Sequence, residues 1–550
     1  MGAAHAAPAP DPDPEKLYET HCLSCHAPNR LGGMGPTLLP ESLARLKKPE
    51  AAKAIAEGLP ATQMPAFKDI LKPDEIKALA AWIYTPPTHP PKWDTEDIKA
   101  SRIVYADAVD LPAKPVFKAD PMNITLVVEH GDHHITVLDG DVMEPIIRFP
   151  TRYALHGGPK FTPDGRFVYW ASRDGWITKF DLWNLKVVAE TRVGINTRNV
   201  AVSSDGKYVM AANYLPHTLV ALDGKDLSLV KVIPVVGESG NFAGKTSRVS
   251  AVYDARPRNS FIAALKDIPE VWEIPYDGRP VYKGLVHDYQ LKEAIPEPGP
   301  LPSQKKDAGV VSAEALTTPL PSQEGRRIRN VAEAPTTPLP VRHIVLDDYL
   351  DDFFFDQNYD YILGASRTSP KGQVIHLGVG RKVAELDLAG MPHLGSGITW
   401  TRQDAEGKPQ RVMASPNLKD GLVTVIDMKT WKTIKTIPTA GPGFFLRGHE
   451  NSPYVWADVF FGKNHEVMHV IDKQTLEIVA NLTPSPGQTA THVEFDRYGK
   501  YALVSIWEMD GALIVYDAKT LKEIKRLPMK RPVGKYNVWN KTRLSEGTSH

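Results

Sequence analysis

The chain has 550 residues, of which 42% are hydrophobic and 24% are charged, and its 65 basic side chains are balanced by 65 acidic ones. This length can hold two or three domains, while a formal charge of zero provides no general attraction to nucleic acid or to an anionic membrane. No apolar run approaches the roughly 18 residues of a membrane-spanning helix, so no transmembrane segment is predicted.

The sequence begins with MGAAHAAPAP, a stretch rich in small residues. It lacks the charged and apolar regions of a secretory signal, but it is typical of the region around a signal-peptidase cleavage site. The start of the chain therefore fits an exported protein whose leader has been removed.

The stretch Cys22-Leu-Ser-Cys25-His26 contains both cysteines of the chain. Cys-x-x-Cys-His is the covalent attachment signature of c-type haem, in which the two thiols add to the haem vinyl groups and the imidazole binds the iron. A structural zinc site would need four ligands, and no second Cys/His cluster follows. A thioredoxin-like motif would need a βαβ setting, which is also missing. We predict that Cys22 and Cys25 hold haem c covalently and that His26 is its proximal ligand. Because haem c is attached outside the cytoplasmic membrane in bacteria, we predict a periplasmic protein.

Residues 13–88 are predicted to form a small all-α cytochrome c domain around this motif. Residues 15–21 are predicted to form the helix that leads into the attachment site, and residues 72–84 the helix that closes the domain. The apolar residues of the second helix recur at helical spacing on one face: Ile76, Leu79, Ala80 and Ile83.

A methionine is expected as the sixth ligand of the haem c iron. Met64 precedes Pro65 about 40 residues beyond the motif, where such domains supply this ligand. A thioether opposite an imidazole stabilises ferrous iron and raises the reduction potential, which suits electron transfer. Met34 is the alternative ligand, although its Gly-Gly-Met-Gly-Pro setting is typical of a loop against the haem edge.

Residues 89–120 are predicted to be a linker, and from residue 121 onward short alternating apolar runs are separated by Asp-Gly, Asn and Pro turns. In the clearest copies the third strand of the unit ends in an aspartate, at Asp181, Asp223 and Asp517. Four short strands at a period of about 40 to 50 residues indicate a β-propeller. We predict an all-β propeller of eight blades over residues 121–550, with seven blades as the alternative.

Residues 290–342 interrupt this pattern. Pro-Leu-Pro-Ser-Gln begins at Pro300 and again at Pro319, and Thr-Thr-Pro-Leu-Pro begins at Thr317 and at Thr336. So much proline cannot form the strands of a blade. We predict a disordered insertion between blades, without a chemical role.

A haem c domain followed by an eight-bladed propeller resembles the cytochrome cd1 family, in which the central funnel of the propeller binds haem d1. The likeness covers nearly the whole chain except residues 290–342. Arg152-Tyr-Ala-Leu-His156 resembles the segment with the proximal haem d1 histidine, which implies that His156 is an iron ligand. Because Gly-Gly-Pro follows, His156 is predicted to lie on a turn. Gly534-Lys-Tyr536-Asn-Val resembles the segment that closes the propeller.

The resemblance also implies arginines that bind the haem d1 carboxylates. Gly194-Ile-Asn-Thr-Arg198 resembles the family segment whose arginine has this role. Carboxylates are bound best by paired hydrogen bonds from a guanidinium group. The candidates are the arginines beside predicted strand ends: Arg173, Arg198, Arg248 and Arg367.

Two branches of the family must be separated. Nitrite reductases use two distal histidines to protonate and stabilise the bound anion, whereas the other branch removes two hydrogens from a propionate of dihydro-haem d1 and leaves an acrylate. Met391-Pro392-His393 resembles one distal segment, but Asp347-Asp348 stands where a reductase has His-Asp-Gly-Gly-Trp. Anionic side chains near nitrite would repel it. The resemblance therefore favours the dehydrogenase branch, with electrons passed to haem c.

The C-terminal region points the same way. Residues 441–447, 452–461 and 546–550 resemble the dehydrogenase branch. His492 is our candidate general base, because a neutral imidazole can accept a proton near neutral pH. Tyr536 is its predicted partner, either as a hydrogen-bond anchor for the propionate or as a proton relay. His393 is predicted to be a second polar contact or an iron ligand.

Three other functions stay open. A nitrite reductase would keep haem d1 as a permanent cofactor, and a carrier would only deliver haem d1 to a reductase. A general electron-transfer protein would use the propeller only to dock partners. Intact Cys22, Cys25 and Met64 favour redox work over the carrier. The expected partners are haem d1 or dihydro-haem d1 as ligand, an external electron acceptor, and the nitrite reductase that receives haem d1.

Overall fold

The computed structural model describes residues 11–44, 46–59, 64–107, 110–238, 240–281, 338–365, 371–388 and 390–543. Within these ranges a group of short helices is followed by eight antiparallel sheets. No helix in the described ranges is both long enough and apolar enough to cross a membrane.

The N-terminal helices form a small all-α unit, as predicted. Their bounds are α1 (Pro14–His21), α2 (Leu23–His26), α3 (Lys48–Glu57) and α4 (Pro73–Trp82). The Asp13 carboxylate accepts hydrogen bonds from the amides of Glu15 and Lys16 and so caps the start of α1. The predicted apolar face of α4 is confirmed, because Ile76, Leu79, Ala80 and Ile83 are all buried. This unit packs around Tyr18 and Phe67.

The eight sheets succeed one another along the chain and form an eight-bladed propeller, which confirms the predicted fold class. Blades 1 to 4 contain β2 (Ile124–Glu129), β3 (His134–Asp139), β4 (Glu144–Pro150); β5 (Leu155–Phe161), β6 (Phe167–Ser172), β7 (Trp176–Asp181), β8 (Lys186–Arg192); β9 (Asn196–Val202), β10 (Tyr208–Leu215), β11 (Thr218–Asp223), β12 (Leu229–Pro234); and β13 (Val249–Ala255), β14 (Ser260–Leu265), β15 (Glu270–Pro275), β16 (Arg342–Val345).

Blades 5 to 8 have the same order of four strands, from the innermost to the outermost. They contain β17 (Asp352–Phe355), β18 (Tyr361–Ala365), β19 (Lys371–His376), β20 (Arg381–Asp387); β21 (Ile398–Gln403), β22 (Pro409–Pro416), β23 (Leu422–Asp427), β24 (Thr433–Pro438); β25 (Leu446–Gly448), β26 (Tyr454–Asp458), β27 (Met468–Asp472), β28 (Ile478–Leu482); and β29 (Ala490–Phe495), β30 (Tyr501–Ile506), β31 (Ala512–Asp517), β32 (Glu523–Pro528).

The C-terminus closes the ring. Strand β33 (Pro532–Asn537) pairs antiparallel with β2 and becomes the innermost strand of blade 1, with Tyr536 opposite Leu126. Helix α6 (Val538–Thr542) follows. Because the last strand completes the first sheet, the two ends of the propeller chain are hydrogen-bonded, and each of the eight sheets in the described residues has at least four strands.

The aspartates that end the third strands hold the turns to the fourth strands. Asp517 accepts hydrogen bonds from the amides of Lys519 and Thr520, and Asp223 accepts one from the amide of Lys225. An aspartate that bonds the amides two and three residues ahead is a common turn device. These local bonds explain why the residue recurs with the blade period.

The region between the helical unit and the propeller has structure of its own. Helix α5 (Thr95–Ser101) lies against blade 2, and β1 (Ile103–Val104) pairs with β8 as a fifth strand of that blade. The Trp93 indole donates a hydrogen bond to the carbonyl of Arg192 at 3.0 Å. Residues 89–120 are therefore attached to the propeller for part of their length.

Two local predictions were wrong. His156 lies in strand β5 and not on a turn, because Gly157 and Gly158 adopt φ values of 78° and 70° within a β-bulge instead of ending the strand. The proline-rich insertion lies inside blade 4, between β15 and β16, and not between blades. A connection at the outer edge of a blade can be long because loop closure costs little more as a loop grows. Most of the insertion, residues 282–337, lies outside the described residues.

Candidate functional site

The haem c attachment motif is preorganised for a metal-bound imidazole. Cys22 lies between α1 and α2, while Cys25 and His26 are in α2. The His26 Nδ1–H donates to the Pro36 carbonyl at 2.7 Å, which leaves Nε2 for an iron. A Cβ on Gly35 would lie 2.7 Å from the His26 ring, so this glycine permits the close approach. Burial lowers the pKa of His26 and keeps the ring neutral. These residues fit haem c.

Met64 is partly buried against the hydrophobic core of the helical unit. It contacts the core that contains Tyr18 and Phe67, and its carbonyl accepts a hydrogen bond from the Leu59 amide at 3.2 Å. Met34 lies in a short loop in which the Gly33 amide bonds the Gly35 carbonyl at 3.0 Å. Its predicted loop setting is therefore confirmed, and Met64 as iron ligand stays a prediction.

The helical unit contacts blades 3 and 4 beside the start of their innermost strands. Leu39 packs with Ile195 and Leu215. The Arg248 Nη1 donates to the Ser42 carbonyl at 2.6 Å. The contact places the attachment unit at one end of the propeller, at the end where the innermost strands begin.

Side chains from several innermost strands meet at the centre of the ring. His156, Arg198, Tyr253, Arg447 and His492 are each partly exposed, whereas their neighbours in these strands are mostly buried. The Lys160 ammonium of blade 2 lies 5.6 Å from the Tyr253 ring of blade 4. Such a contact between blades that are not adjacent is possible only across the centre. The centre is therefore polar, with bases, acids and cations facing one space.

His156 is held as a ligand would be. Its Nδ1–H donates to the Arg198 carbonyl at 2.7 Å, which leaves Nε2 available to accept. The Arg198 guanidinium lies against Nε2. An iron at Nε2 would take the place of this guanidinium, so Arg198 would have to move when the site is filled. The structure thus brings together His156 and Arg198, which the resemblance implied for separate roles.

Four cations surround Tyr214, a residue that the sequence did not single out. Burial alone would raise the pKa of Tyr214, but the charges of Lys266, Arg198, Arg173 and Arg248 together lower it to about 8. The three nearest of these groups lie 5.5 to 5.9 Å from the ring. The cluster suits an anionic ligand with more than one carboxylate.

We expect Tyr214 to ionise before the other tyrosines as the pH rises. Because surrounding cations favour the phenolate, its absorption should appear with a midpoint near pH 8, about two pH units below an ordinary tyrosine. The measurement is an ultraviolet pH titration of the protein against the Tyr214→Phe variant. A difference spectrum with a midpoint near 10 would show that the cations do not act on this ring.

The four candidate arginines have different settings. Arg173 and Arg198 contribute to the cation cluster. Arg248 is already paired with Asp267, at 2.5 and 2.8 Å, and bonds Ser42 as well. It therefore joins the propeller to the helical unit, and few of its donors are left for a ligand. Arg367 lies outside the described residues.

His492, Tyr536 and His393 converge around an aromatic cluster. The His492 ring centre lies 6.0 Å from that of Tyr536 and 4.6 Å from that of Phe445. Phe445 lies 6.3 Å from His393, whose Nδ1–H donates to the Phe444 carbonyl at 2.7 Å. The blades thus bring together the three residues predicted to be catalytic. The sequence did not predict that the Phe445 ring would lie between His492 and His393. It showed only that the segment containing Phe445, residues 441–447, resembles the dehydrogenase branch.

Tyr536 is fixed between two glycines. A Cβ on Gly158 would lie 2.4 Å from its ring, and a Cβ on Gly534 would lie 2.4 Å from its hydroxyl. Burial raises the pKa of Tyr536 above its usual range. The phenol is therefore a neutral hydrogen-bond donor at working pH. Gly158 is two residues from His156, which places Tyr536 beside the iron-ligand candidate.

Of the acidic pair used in the sequence argument, Asp347 is not at the centre. Asp347 is 70% exposed and binds Lys382 of the outermost strand β20 at 2.8 Å. The acid that faces the centre is the buried Asp352, which accepts a hydrogen bond from the Tyr253 hydroxyl at 3.1 Å. The expected repulsion from Asp347 is therefore wrong, because the connection before β17 directs this side chain to the rim of the blade.

Comparisons with known proteins agree with both parts of the chain. The family model "Cytochrome D1 heme domain" matches residues 119–288 and 323–541, and "Cytochrome C oxidase, cbb3-type, subunit III" matches residues 9–83. Dihydro-heme d1 dehydrogenase of Pseudomonas aeruginosa is 50% identical, and the match covers 100% of this chain and 98% of the relative. Nitrite reductase of Stutzerimonas stutzeri is 25% identical over 96% of this chain and 92% of that protein.

A solved structure, "Dihydro-heme d1 dehydrogenase NirN in complex with DHE", is also similar. It superposes with a TM-score of 0.74 at 50% identity, and the match covers 96% of this chain and 100% of the solved one.

Proposed function

This chain belongs to the cytochrome D1 haem domain family, in the branch of the dihydro-haem d1 dehydrogenases, and from that premise we propose how its residues act. It is a cytochrome-linked oxidoreductase of haem d1 biosynthesis, in the context of denitrification. It combines sites for haem c and for a d1-type haem. The proposed substrate is dihydro-haem d1, one propionate of which becomes an acrylate. The observation that carries the proposal is the approach of the His492 and Tyr536 rings to 6.0 Å, with Tyr536 packed against Gly158, two residues from His156.

Substrate binding uses the iron ligand and the cations together. His156 binds the substrate iron through Nε2, since Nδ1 is committed to the Arg198 carbonyl. Arg198 and Arg173 neutralise the substrate carboxylates beside Tyr214, whereas Lys266, like Arg248, is already paired with a carboxylate, that of Asp351 at 2.8 Å. One ring nitrogen and several cations at fixed positions orient the macrocycle, so that one propionate reaches His492.

Desaturation removes two protons and two electrons from the –CH2–CH2– unit and leaves –CH=CH–. His492 accepts one of these protons from the propionate carbon, as a general base must lie within reach of the proton it removes, and the other proton leaves to solvent. Tyr536 donates a hydrogen bond to the propionate carboxylate, because burial keeps its phenol protonated. Between the two roles predicted for Tyr536, this favours the anchor. His393 is the second polar contact, held by the Phe444 carbonyl.

The cytochrome site accounts for the electrons. Cys22 and Cys25 would hold haem c covalently, and His26 and Met64 would be its iron ligands. The haem would supply a one-electron acceptor, so one turnover would require two transfers. An external acceptor then reoxidises the protein, and a nitrite reductase receives the product. We place these steps in the periplasm.

The other functions are less well supported. The nitrite reductase relative is 25% identical, against 50% for the dehydrogenase. A carrier, or a propeller that only docks partners, has no use for a base and a phenol placed together at the centre. The division into residues 13–88, 89–120 and 121–550 stays a prediction, as does the absence of a chemical role for residues 290–342.

The proposal is tested by mixing the oxidised, haem c-loaded protein with dihydro-haem d1 without oxygen. We expect the haem c absorbance to change to that of the reduced form, with an acrylate-bearing haem d1 as the extracted product. Tight binding without oxidation would support a carrier instead. Rapid consumption of added nitrite by the bound haem would support a reductase.

A further inference from the structure

The backbone at His492 has an unusual conformation. His492 has φ of 46°, in the left-handed region that residues other than glycine rarely adopt. The register between β29 and β30 shifts between Thr491 and Val493, so His492 is the extra residue of a β-bulge. Bulges redirect a side chain, and strained residues at functional sites persist only where their surroundings hold them.

A buried carboxylate holds the amide side of this bulge. Asp458 at the end of β26 accepts hydrogen bonds at Oδ2 from the Thr491 hydroxyl at 2.6 Å and from the His492 amide at 3.3 Å. Its Oδ1 accepts hydrogen bonds from the amides of Phe444 and Phe445 at 2.7 and 2.9 Å. The Asp458 side chain therefore joins the bulge to Phe444 and Phe445. His393 bonds the carbonyl of the first of these residues, and His492 packs against the ring of the second.

A buried lysine side chain holds the carbonyl side of the same residue. Lys535 of β33 donates to the His492 carbonyl, and to the Ser505 hydroxyl at 2.7 Å. Burial lowers the pKa of Lys535 well below its ordinary value, and the charges of Glu494 and Asp458 oppose this only in part. The His492 N–H thus donates to an acidic side chain, and its C=O accepts from a basic side chain. Both side chains come from other strands.

We propose that Asp458 and Lys535 are positioning residues that hold His492 in its bulged conformation and so aim its ring at the propionate. This inference rests on the proposed function, in which His492 is the base. Asp458 also accepts a hydrogen bond from Phe444, whose carbonyl accepts the His393 Nδ1–H. The positions of His492 and His393 therefore both depend on Asp458. Neither Asp458 nor Lys535 has to touch the substrate.

Asp458→Asn tests the acid. An asparagine has one acceptor oxygen, so its NH2 group must face either the two phenylalanine amides or the Thr491–His492 pair, which are donors themselves. We expect kcat to fall about tenfold or more, the effect of misplacing a general base. Affinity for dihydro-haem d1, measured by its absorption change on binding, should stay within about threefold, because His156 and the cations are untouched.

Asp496→Asn is the matched control. Asp496 is a buried carboxylate of blade 8 that accepts hydrogen bonds from the Tyr501 and Tyr498 amides within its own turn. We expect it to lower Tm as Asp458→Asn does but to leave kcat unchanged. An equal loss of kcat in both variants would overturn the proposal, because the effect would be one of stability.

A double variant separates this proposal from the assignment of the base. If Asp458 acts through His492, Asp458→Asn should lower kcat no further in a His492→Gln background. A full additional loss there would overturn the positioning role while leaving His492 as base. If His492→Gln alone had no effect, the assignment of the base would fail instead. Lys535→Met gives an independent variant with the same expected pattern, should Asp458→Asn not fold.

Discussion

Replacing His492 with glutamine is expected to lower kcat for desaturation by about 10²- to 10⁴-fold, the usual contribution of a general base. Glutamine retains a polar side chain of similar length but cannot accept a proton near neutral pH. Binding of dihydro-haem d1 should persist, since His156 and the cations around Tyr214 are not changed. The measurement is single-turnover reduction of haem c after anaerobic mixing, with the affinity determined separately.

The control for His492→Gln is the same substitution at His376. This half-buried histidine of blade 5 accepts hydrogen bonds from the Gly378 and Val379 amides and lies at the end of β19, the third strand outward from the centre. We expect unchanged turnover there. Turnover that stayed intact in His492→Gln while the substrate still bound would show that another group removes the proton.

Replacing His156 with alanine is expected to weaken binding of dihydro-haem d1 by about 100-fold, because the substrate loses its protein ligand to iron. The remaining contacts are the cations, which bind the carboxylates but do not fix the iron. In the free protein the Arg198 guanidinium lies against the His156 ring, so its removal also leaves Arg198 less well placed. The affinity is measured by absorption titration.

Exogenous imidazole provides the control for His156→Ala. The variant leaves a space of ring size beside Gly157, and free imidazole should enter it and restore part of the affinity. No rescue is expected for Arg198→Ala, which lacks a cation and not a ligand. An unchanged affinity in His156→Ala would mean that the iron is bound from elsewhere, and His393 would be the residue to examine next.

The haem c site could be predicted because its chemistry is local. Cys22, Cys25 and His26 lie within one short helix and its cap, so their spacing in sequence determines their spacing in space. The propeller could be predicted for a similar reason, since each blade repeats strand lengths and turn aspartates such as Asp517. Both signals depend on residues close together in the chain.

The centre of the propeller is different. His156, His492 and Tyr536 were proposed only through resemblance, and the approach of Tyr536 to His492 depends on β33 pairing with β2 across the whole length of the propeller chain. Asp347 was misplaced because the direction of a loop side chain is set by its contact with Lys382.

The sequence by itself therefore determined the haem c motif, the all-α unit that surrounds it and the eightfold repeat. Three features could be seen only in the folded protein: which side chains lie at the centre, which cations lie near Tyr214, and the hydrogen bonds from Asp458 and Lys535 to the His492 backbone. The physical reason is that ring closure joins innermost strands from different blades. Residues on such strands are far apart in the chain, and no regular spacing in the sequence predicts which of them come into contact.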